Sequence, residues 1–236
     1  MKVSVLMAAW RPWFIKEAIE SYLQQNYRDS ELIIMNDCPT DEVQNIVKEY
    51  RDRRISYHHK EHTGMTDTLS KATEFAIGDL VCQLDDDNMF YDEESISCRV
   101  KPFLEYDIDM VYAKARTMTR DGVCGEGEHP FHKVNTMKIW GKEYISMPTM
   151  MWRRSIHDVF DPYGKPDIEY YWDWYFKIVM LMEFSCLALN DFVIKYREHG
   201  NQAMAQCRSL GMVSDQETKL KNKLENRYGG KMPWMK

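Results

Sequence analysis

Over residues 2–84 short apolar runs alternate with segments whose apolar residues recur at three- and four-residue spacing, and this alternation limits the fold more than any other feature of the chain. Residues 2–9 (KVSVLMAA), 31–36 (ELIIMN), 55–58 (ISYH) and 80–84 (LVCQL) read as strands bounded by turn-forming residues. Between them Ile15, Ala18, Ile19, Tyr22 and Leu23, then Val43, Ile46, Val47 and Tyr50, then Met65, Leu69, Ala72 and Ala76 each line one face of a helix. Pro12 is tolerated in a first helical turn, and Gly78 is placed to stop the third helix. Such alternation predicts an α/β fold with a largely parallel sheet and helices on both faces. Ligands of these sheets lie outside the carboxyl ends of the strands. Three of those ends carry the unusual residues Ala8-Ala9-Trp10, Asn36-Asp37 and Asp85-Asp86-Asp87, so all three are expected to converge on one crevice.

The aspartate triplet is the most demanding of these turns, because adjacent carboxylates repel unless positive charge sits among them. On an extended segment Asp85 and Asp87 project one way and Asp86 the other, so the outer pair can face one cation. Hard oxygen ligands suit Mg²⁺ or Mn²⁺ better than zinc. The plain alternative is a solvated acidic turn. A net charge of −6 argues against a nucleic-acid partner held through phosphates, and any anionic ligand would need a local cation. The six cysteines are scattered without a CxxC pair, which points away from a zinc knuckle or disulfide scaffold and toward a reducing cytoplasm. The first strand begins at once, leaving no room for a signal peptide, and no apolar run reaches membrane-spanning length.

Beyond the triplet, Asp92 is a candidate N-cap for a helix through Leu104, and residues 110–115 read as a strand followed by a turn at Gly122. Residues 121–138, with three glycines and no period, are expected to form a long loop that acts as a lid. Residues 145–151 suggest a strand and 155–160 a short helix. Residues 170–184 read as a buried helix around Asp173 and Lys177, residues 192–197 as a strand running into Glu198-His199-Gly200-Asn201, and residues 215–228 as a charged helix. One compact domain over residues 1–236 is expected.

Together VSVLMAAWRP, ELIIMNDCPTDEVQNIVKEY and GDLVCQLDDDN resemble the opening strand, the acidic second turn and the D-x-D strand of the family 2 inverting glycosyltransferases of the GT-A fold. The NDCPT and DDDN turns are most similar to the spore-coat polysaccharide type. The resemblance implies a Rossmann-like GT-A sheet, mixed but mostly parallel, in which residues 1–104 bind the donor and residues 105–236 the acceptor. It implies a nucleotide-sugar donor, a UDP-sugar first, a carbohydrate or other hydroxyl acceptor, and Mn²⁺ or Mg²⁺ on the diphosphate. It places Ala8, Trp10, Asp37, Asp85 and Asp86 against the nucleotide, with Asp37 on the base, and Asp87 on the metal. YREHGNQA at 196–203 resembles a later Y-R-x-H-x-x-N segment whose histidine, here His199, completes the metal site. Departures are Ala8 and Ala9 in place of small polar residues, Arg11 in place of a frequent asparagine, and no arginine near Leu69; Trp172-Asp173 keeps only the second acid of an E-D pair.

Transfer needs a base for the incoming hydroxyl, and Asp173, flanked by Trp172 and Trp174, is expected to have its pKa raised into that role. Its alternative is a helix-capping carboxylate, and Glu169 is the rival base. Asp37 has its own plain alternative as an Asx-turn residue before the second helix, and His199 as a structural histidine. The aromatic group Tyr170, Tyr171, Trp172 and Trp174 would stack on sugars or fill the core. A sugar-nucleotide-binding protein without turnover is the competing function. A nucleotidyltransferase or dinucleotide oxidoreductase would want a glycine-rich phosphate loop, which AAWRPW is not. Peripheral membrane contact, oligomeric state, sugar and linkage stay open.

Overall fold

The computed structural model describes residues 1–129, 145–161, 163 and 170–229. Strands β1 (Val3–Ala9), β2 (Ser30–Asn36), β3 (Ile55–His59) and β4 (Leu80–Gln83) lie parallel in the order β3-β2-β1-β4. From β4 the sheet continues through β8 (Met151–Arg153) and β6 (Met110–Met118) to β9 (Cys186–Arg197) and β5 (Met89–Phe90). β8 runs against both its neighbours, β6 and β9 are parallel, and β5 returns antiparallel along β9. Helices α1 (Ile15–Leu23), α2 (Glu42–Val47), α3 (Met65–Thr73), α4 (Ser97–Glu105), α5 (Trp172–Glu183), α6 (Ala203–Ser209) and α7 (Val213–Tyr228) complete the described chain. The parallel β3-β2-β1-β4 portion with its helices is what the alternation predicts, and the mixed, mostly parallel α/β sheet as a whole is what the family resemblance implies.

The two-residue period of the strands divides the core. Val3, Val5, Met7, Leu32, Ile34 and Cys82 face α1, α2 and α4, whereas Leu6, Ile33, Met35 and Val81 face α3, α5 and Trp152. In α1, Ile15, Ala18, Ile19 and Tyr22 are fully buried, the large ones each contributing about 1.5–3 kcal/mol through lost apolar exposure.

Several boundaries differ from the sequence reading. α3 ends at Thr73 and leaves Met65 exposed; Gly78 serves a close approach instead, since a Cβ there would lie 2.6 Å from the Ser4 nitrogen. Asp92 does not cap α4. Its Oδ1 accepts from the Glu94 nitrogen and the Ser95 hydroxyl, fixing a local turn, and the helix starts only at Ser97. Much of residues 145–151 is a 3₁₀ turn, Met147–Thr149, and β8 is three residues long. The turn at Gly122 is present, with φ +86°, but Cys124–Glu128 forms β7, an exposed strand antiparallel to β6. Because every residue of β7 is exposed it has no apolar alternation to read. Residues 130–138 of the expected lid lie outside the described residues. β5 and α6 were not foreseen, and β9 starts at Cys186, six residues early. Among the described residues no helix is long and apolar enough to cross a membrane.

Candidate active site

The carboxyl ends of β2, β1 and β4 share one edge of the sheet, with Ala9 opposite Asn36 and Leu6 opposite Gln83. Side chains then tie the turns together. β4 ends at Gln83, and Asp86 and Asp87 form a turn, not the extended segment expected from strand alternation; within it Asp86 is buried and its Oδ2 accepts the backbone N–H groups of both Trp10 and Arg11 at 2.8 Å. The middle aspartate therefore braces the β1 loop. Burial, then the charge of Asp87, pushes its pKa up to about 6 against these two donors.

At one end of the crevice stands Asp37, 4% exposed. The Asx turn after β2 belongs to Asn36, whose Oδ1 accepts from the Cys38 nitrogen, and α2 has no side-chain cap. Asp37 points instead across the edge: its Oδ2 accepts from Thr68 Oγ1 at 2.9 Å and pairs with His62 Nδ1 at 2.9 Å. The His62 ring lies 4.2 Å from that of Trp10, which is exposed, and Ala8 packs at the margin of the core beside them. Both bonds fall on one carboxylate oxygen, so Oδ1 stays available to a ligand donor. His62 and Thr68 escaped the sequence reading, which looked near Leu69 for a cation; their signal was the turn at Thr63-Gly64 that returns the chain to this edge.

At the other end His199 Nε2 lies 2.9 Å from Asp87 Oδ2, both side chains buried. The Asn201 N–H donates to His199 Nδ1 at 3.2 Å, which leaves the ring hydrogen on Nε2, directed at Asp87. Holding this pair is Arg197, fully buried. Its Nε donates to the Asp87 carbonyl at 2.9 Å, one guanidinium nitrogen to the Arg120 carbonyl at 2.6 Å, and the other to Glu17 Oε2 at 2.7 Å. The guanidinium stacks 4.3 Å from the centre of the Phe14 ring, and Phe14 also touches His199. Arg11 closes the two ends, donating to the Asn201 carbonyl at 2.6 Å. Sequence reasoning missed Arg197, although it sits inside the YREHGNQA segment.

Asp85 accepts from Gln83 Nε2 and from Asn88 Nδ2, and burial, then Asp87, pushes its pKa up to about 7. Asp173 opens α5, where the helix dipole favours an anion. Its Oδ2 meets Lys177 Nζ at 2.7 Å, so a buried ammonium, not bare indole, is what faces the carboxylate. Of the aromatic group, Tyr171 and Trp172 are core residues. Glu169 lies outside the described residues.

Asp87 and His199 fit a divalent cation. They supply a hard oxygen and an imidazole nitrogen, and 2.9 Å is close to the edge of an octahedron with bonds of about 2.1 Å. A cation would replace the hydrogen they share. Among the described residues no group of three His, Cys, Asp or Glu side chains converges, so further ligands would come from substrate and water.

Residues 6–160 match the model of glycosyl transferase family 2. The chain belongs to glycosyl transferase family 2. It is 29% identical over 185 residues to Protein CgeD of Bacillus subtilis, covering 72% of this chain and 43% of CgeD. It is 32% identical over 130 residues to the putative colanic acid biosynthesis glycosyl transferase WcaA of Escherichia coli, covering 53% of this chain and 44% of WcaA. The chain thus spans less than half the length of these two relatives. Among solved structures, S. aureus TarS in complex with UDP-GlcNAc superposes with a TM-score of 0.71 at 19% identity, over 87% of this chain and 61% of TarS. The mannosyltransferase PcManGT of Pyrobaculum calidifontis, in complex with GDP-Man and Mn²⁺, gives 0.62 at 16%, over 84% and 56%. At these identities the likeness shows the GT-A fold of the family 2 chain and no more.

Proposed function

We propose that this family 2 glycosyltransferase moves a hexosyl group from a nucleoside-diphosphate sugar, a UDP-sugar first, to a carbohydrate or other hydroxyl acceptor with inversion, using Mg²⁺ or Mn²⁺. One observation carries the reading: Asp37, the braced β1 loop and the Asp87–His199 pair are joined along the carboxyl edge of a parallel sheet, where such folds bind nucleotides. In this reading residues 1–104 hold the donor, with Ala8 and Trp10 beside the base, Asp37 accepting from it, Asp85 near the ribose and Asp86 acting through the β1 loop. Residues 105–236 hold the acceptor. Bound at Asp87 and His199, a divalent cation supplies neutralisation of the charge that develops on the departing diphosphate. The acceptor oxygen attacks the anomeric carbon opposite the leaving group, its proton passes to a carboxylate, and the bond to the diphosphate oxygen breaks. Asp173 is the proposed base. The TarS and PcManGT complexes support a nucleotide-sugar donor, and the similarity to WcaA, a putative colanic acid biosynthesis glycosyl transferase, supports a role in polysaccharide synthesis; the spore-coat kind rests on the resemblance of the NDCPT and DDDN turns alone. None of the six cysteines, all described, is in a disulfide, which supports a cytoplasmic setting.

A thermal-shift panel of UDP, dTDP and GDP sugars with and without Mn²⁺ tests the reading, because a specific ligand raises the melting temperature. A Mn²⁺-dependent rise with one nucleotide class is expected; no rise with any sugar nucleotide rejects it. A sugar-nucleotide-binding protein without turnover is the second reading, favoured by the Lys177 ammonium already paired with Asp173. Asp173→Asn should cut transfer by about 10²–10⁴-fold with donor binding intact. If Glu169→Gln does this and Asp173→Asn does not, the base is Glu169; if saturating donor and acceptor never release nucleotide from wild type, the second reading stands.

A further inference from the structure

Two buried polar atoms on the β4 side of the core, the Oε1 of Gln83 and the hydroxyl of Tyr163, have no hydrogen-bond partner among the described residues. Gln83 is 3% exposed and Tyr163 1%. Gln83 shares its face of β4 with Val81 and Asp85 by strand alternation. Its Nε2 donates to Asp85 Oδ1. The opposite amide orientation would set oxygen against carboxylate, so Oε1 lies on the far side of an amide already docked at the aspartate turn. Tyr163 shares a buried cluster with Val81 and with Leu6, the residue opposite Gln83 in β1. Its ring lies 5.5 Å from that of Trp172, the residue before Asp173. Burial, then Cys82, Asp85 and Asp161, holds its pKa well above the ordinary value, so the phenol keeps its hydrogen to donate.

We infer that Gln83 and Tyr163 form a subsite for hydroxyl groups of the donor sugar, reached past Asp85. The assignment rests on the donor reading above and adds to it the residues that would recognise the sugar. The chemistry selects the ligand. Gln83 Oε1 can only accept, and the Tyr163 hydroxyl can donate and accept, so together they suit a group that does both. A phosphate oxygen has nothing to donate to Gln83 and would meet the Asp85 carboxylate; an apolar group would leave both atoms unpaired. A neutral, hydroxyl-rich pyranose joined to a diphosphate held at the same turn meets each requirement. An ordered water would satisfy the same atoms, and the test separates the two.

Calorimetry at saturating Mn²⁺ would compare UDP with UDP-GlcNAc, and GDP with GDP-mannose, in wild type, Tyr163→Phe and Gln83→Met. Tyr163→Phe removes an unpartnered hydroxyl, so it should fold with an unchanged or higher melting temperature. It should bind the nucleotide within about twofold of wild type and the preferred sugar nucleotide about tenfold more weakly. Gln83→Met also loses the bond to Asp85; its nucleotide affinity should fall somewhat, and its sugar-nucleotide affinity by a further factor of about ten. An unchanged ratio of sugar-nucleotide to nucleotide affinity in both variants overturns the subsite alone. Failure of wild type to bind any of the four ligands overturns the donor reading and this subsite with it.

Discussion

The two ends of the crevice are assembled over different distances in the chain. Asp37 finds its partners 25 and 31 residues away, in the loop after β3 and the first turns of α3. Asp87 finds His199 112 residues away, and Arg197 gathers the Asp87 carbonyl, Glu17 and the Arg120 carbonyl from three separate elements. The Asp37 end is bordered by an exposed histidine and an exposed tryptophan, while the guanidinium at the other end is fully buried. In the proposed donor site, ligand binding and fold stability should therefore be separable at Asp37 and bound together at Asp87.

The largest effect that sharpens this contrast is expected from Asp87→Ala, which should eliminate the Mn²⁺ dependence of nucleotide binding. Isothermal titration with and without Mn²⁺ decides it, and a variant that still gains affinity from Mn²⁺ would remove Asp87 from the cation site. Next comes Arg197→Met. Loss of the buried guanidinium should destabilise the chain by about 3–5 kcal/mol, read from urea unfolding, because Glu17 and two carbonyls lose their donor. At a temperature where the variant is still folded, Mn²⁺-dependent affinity should also fall about 10–100-fold, as for other residues that orient a ligand. A loss of stability with unchanged Mn²⁺ affinity would break the comparison, making Arg197 a strut without influence on the site. The smallest effect is at Asp37→Ala: about 1–3 kcal/mol of nucleotide affinity, from a base donor left unpaired. Stability should move by no more than about 1 kcal/mol, since Thr68 retains the Gly64 carbonyl at 2.9 Å as acceptor and His62 reaches solvent. If Asp37→Ala unfolds the chain instead, the two ends are not different in kind.

Much of the site was legible in the sequence on the Asp37 side. The carboxyl ends of three strands named Trp10, Asp37 and the aspartates, although Asp86 and Asp87 lie in a turn beyond the end of β4, so it is turn geometry and not strand alternation that sends Asp86 to the β1 loop. The Asp87–His199 pairing came from the family resemblance; what residue spacing did not provide was the far half of the other contacts. Nothing in the spacing of residues 60–70 says that His62 and Thr68 face Asp37, and Asp173 looked like a carboxylate among indoles because Lys177, one helical turn on, was not paired with it. β7 and the turn before β8 were misread for a related reason, since an exposed glycine-rich strand and a proline-containing 3₁₀ turn carry no apolar period.

The sequence by itself determined the strand-helix alternation, the two-sided core and the set of acidic turns at one edge, because side-chain period and turn chemistry act over a few residues. Only the tertiary structure decided that a buried arginine braces the Asp87–His199 pair, that the β1 loop hangs on Asp86, and that Gln83 and Tyr163 have polar atoms unpaired among the described residues. These depend on which distant elements the packed sheet brings within 3 Å, and on how burial then sets the cost of each unpaired group, quantities that exist only once the chain has closed on itself.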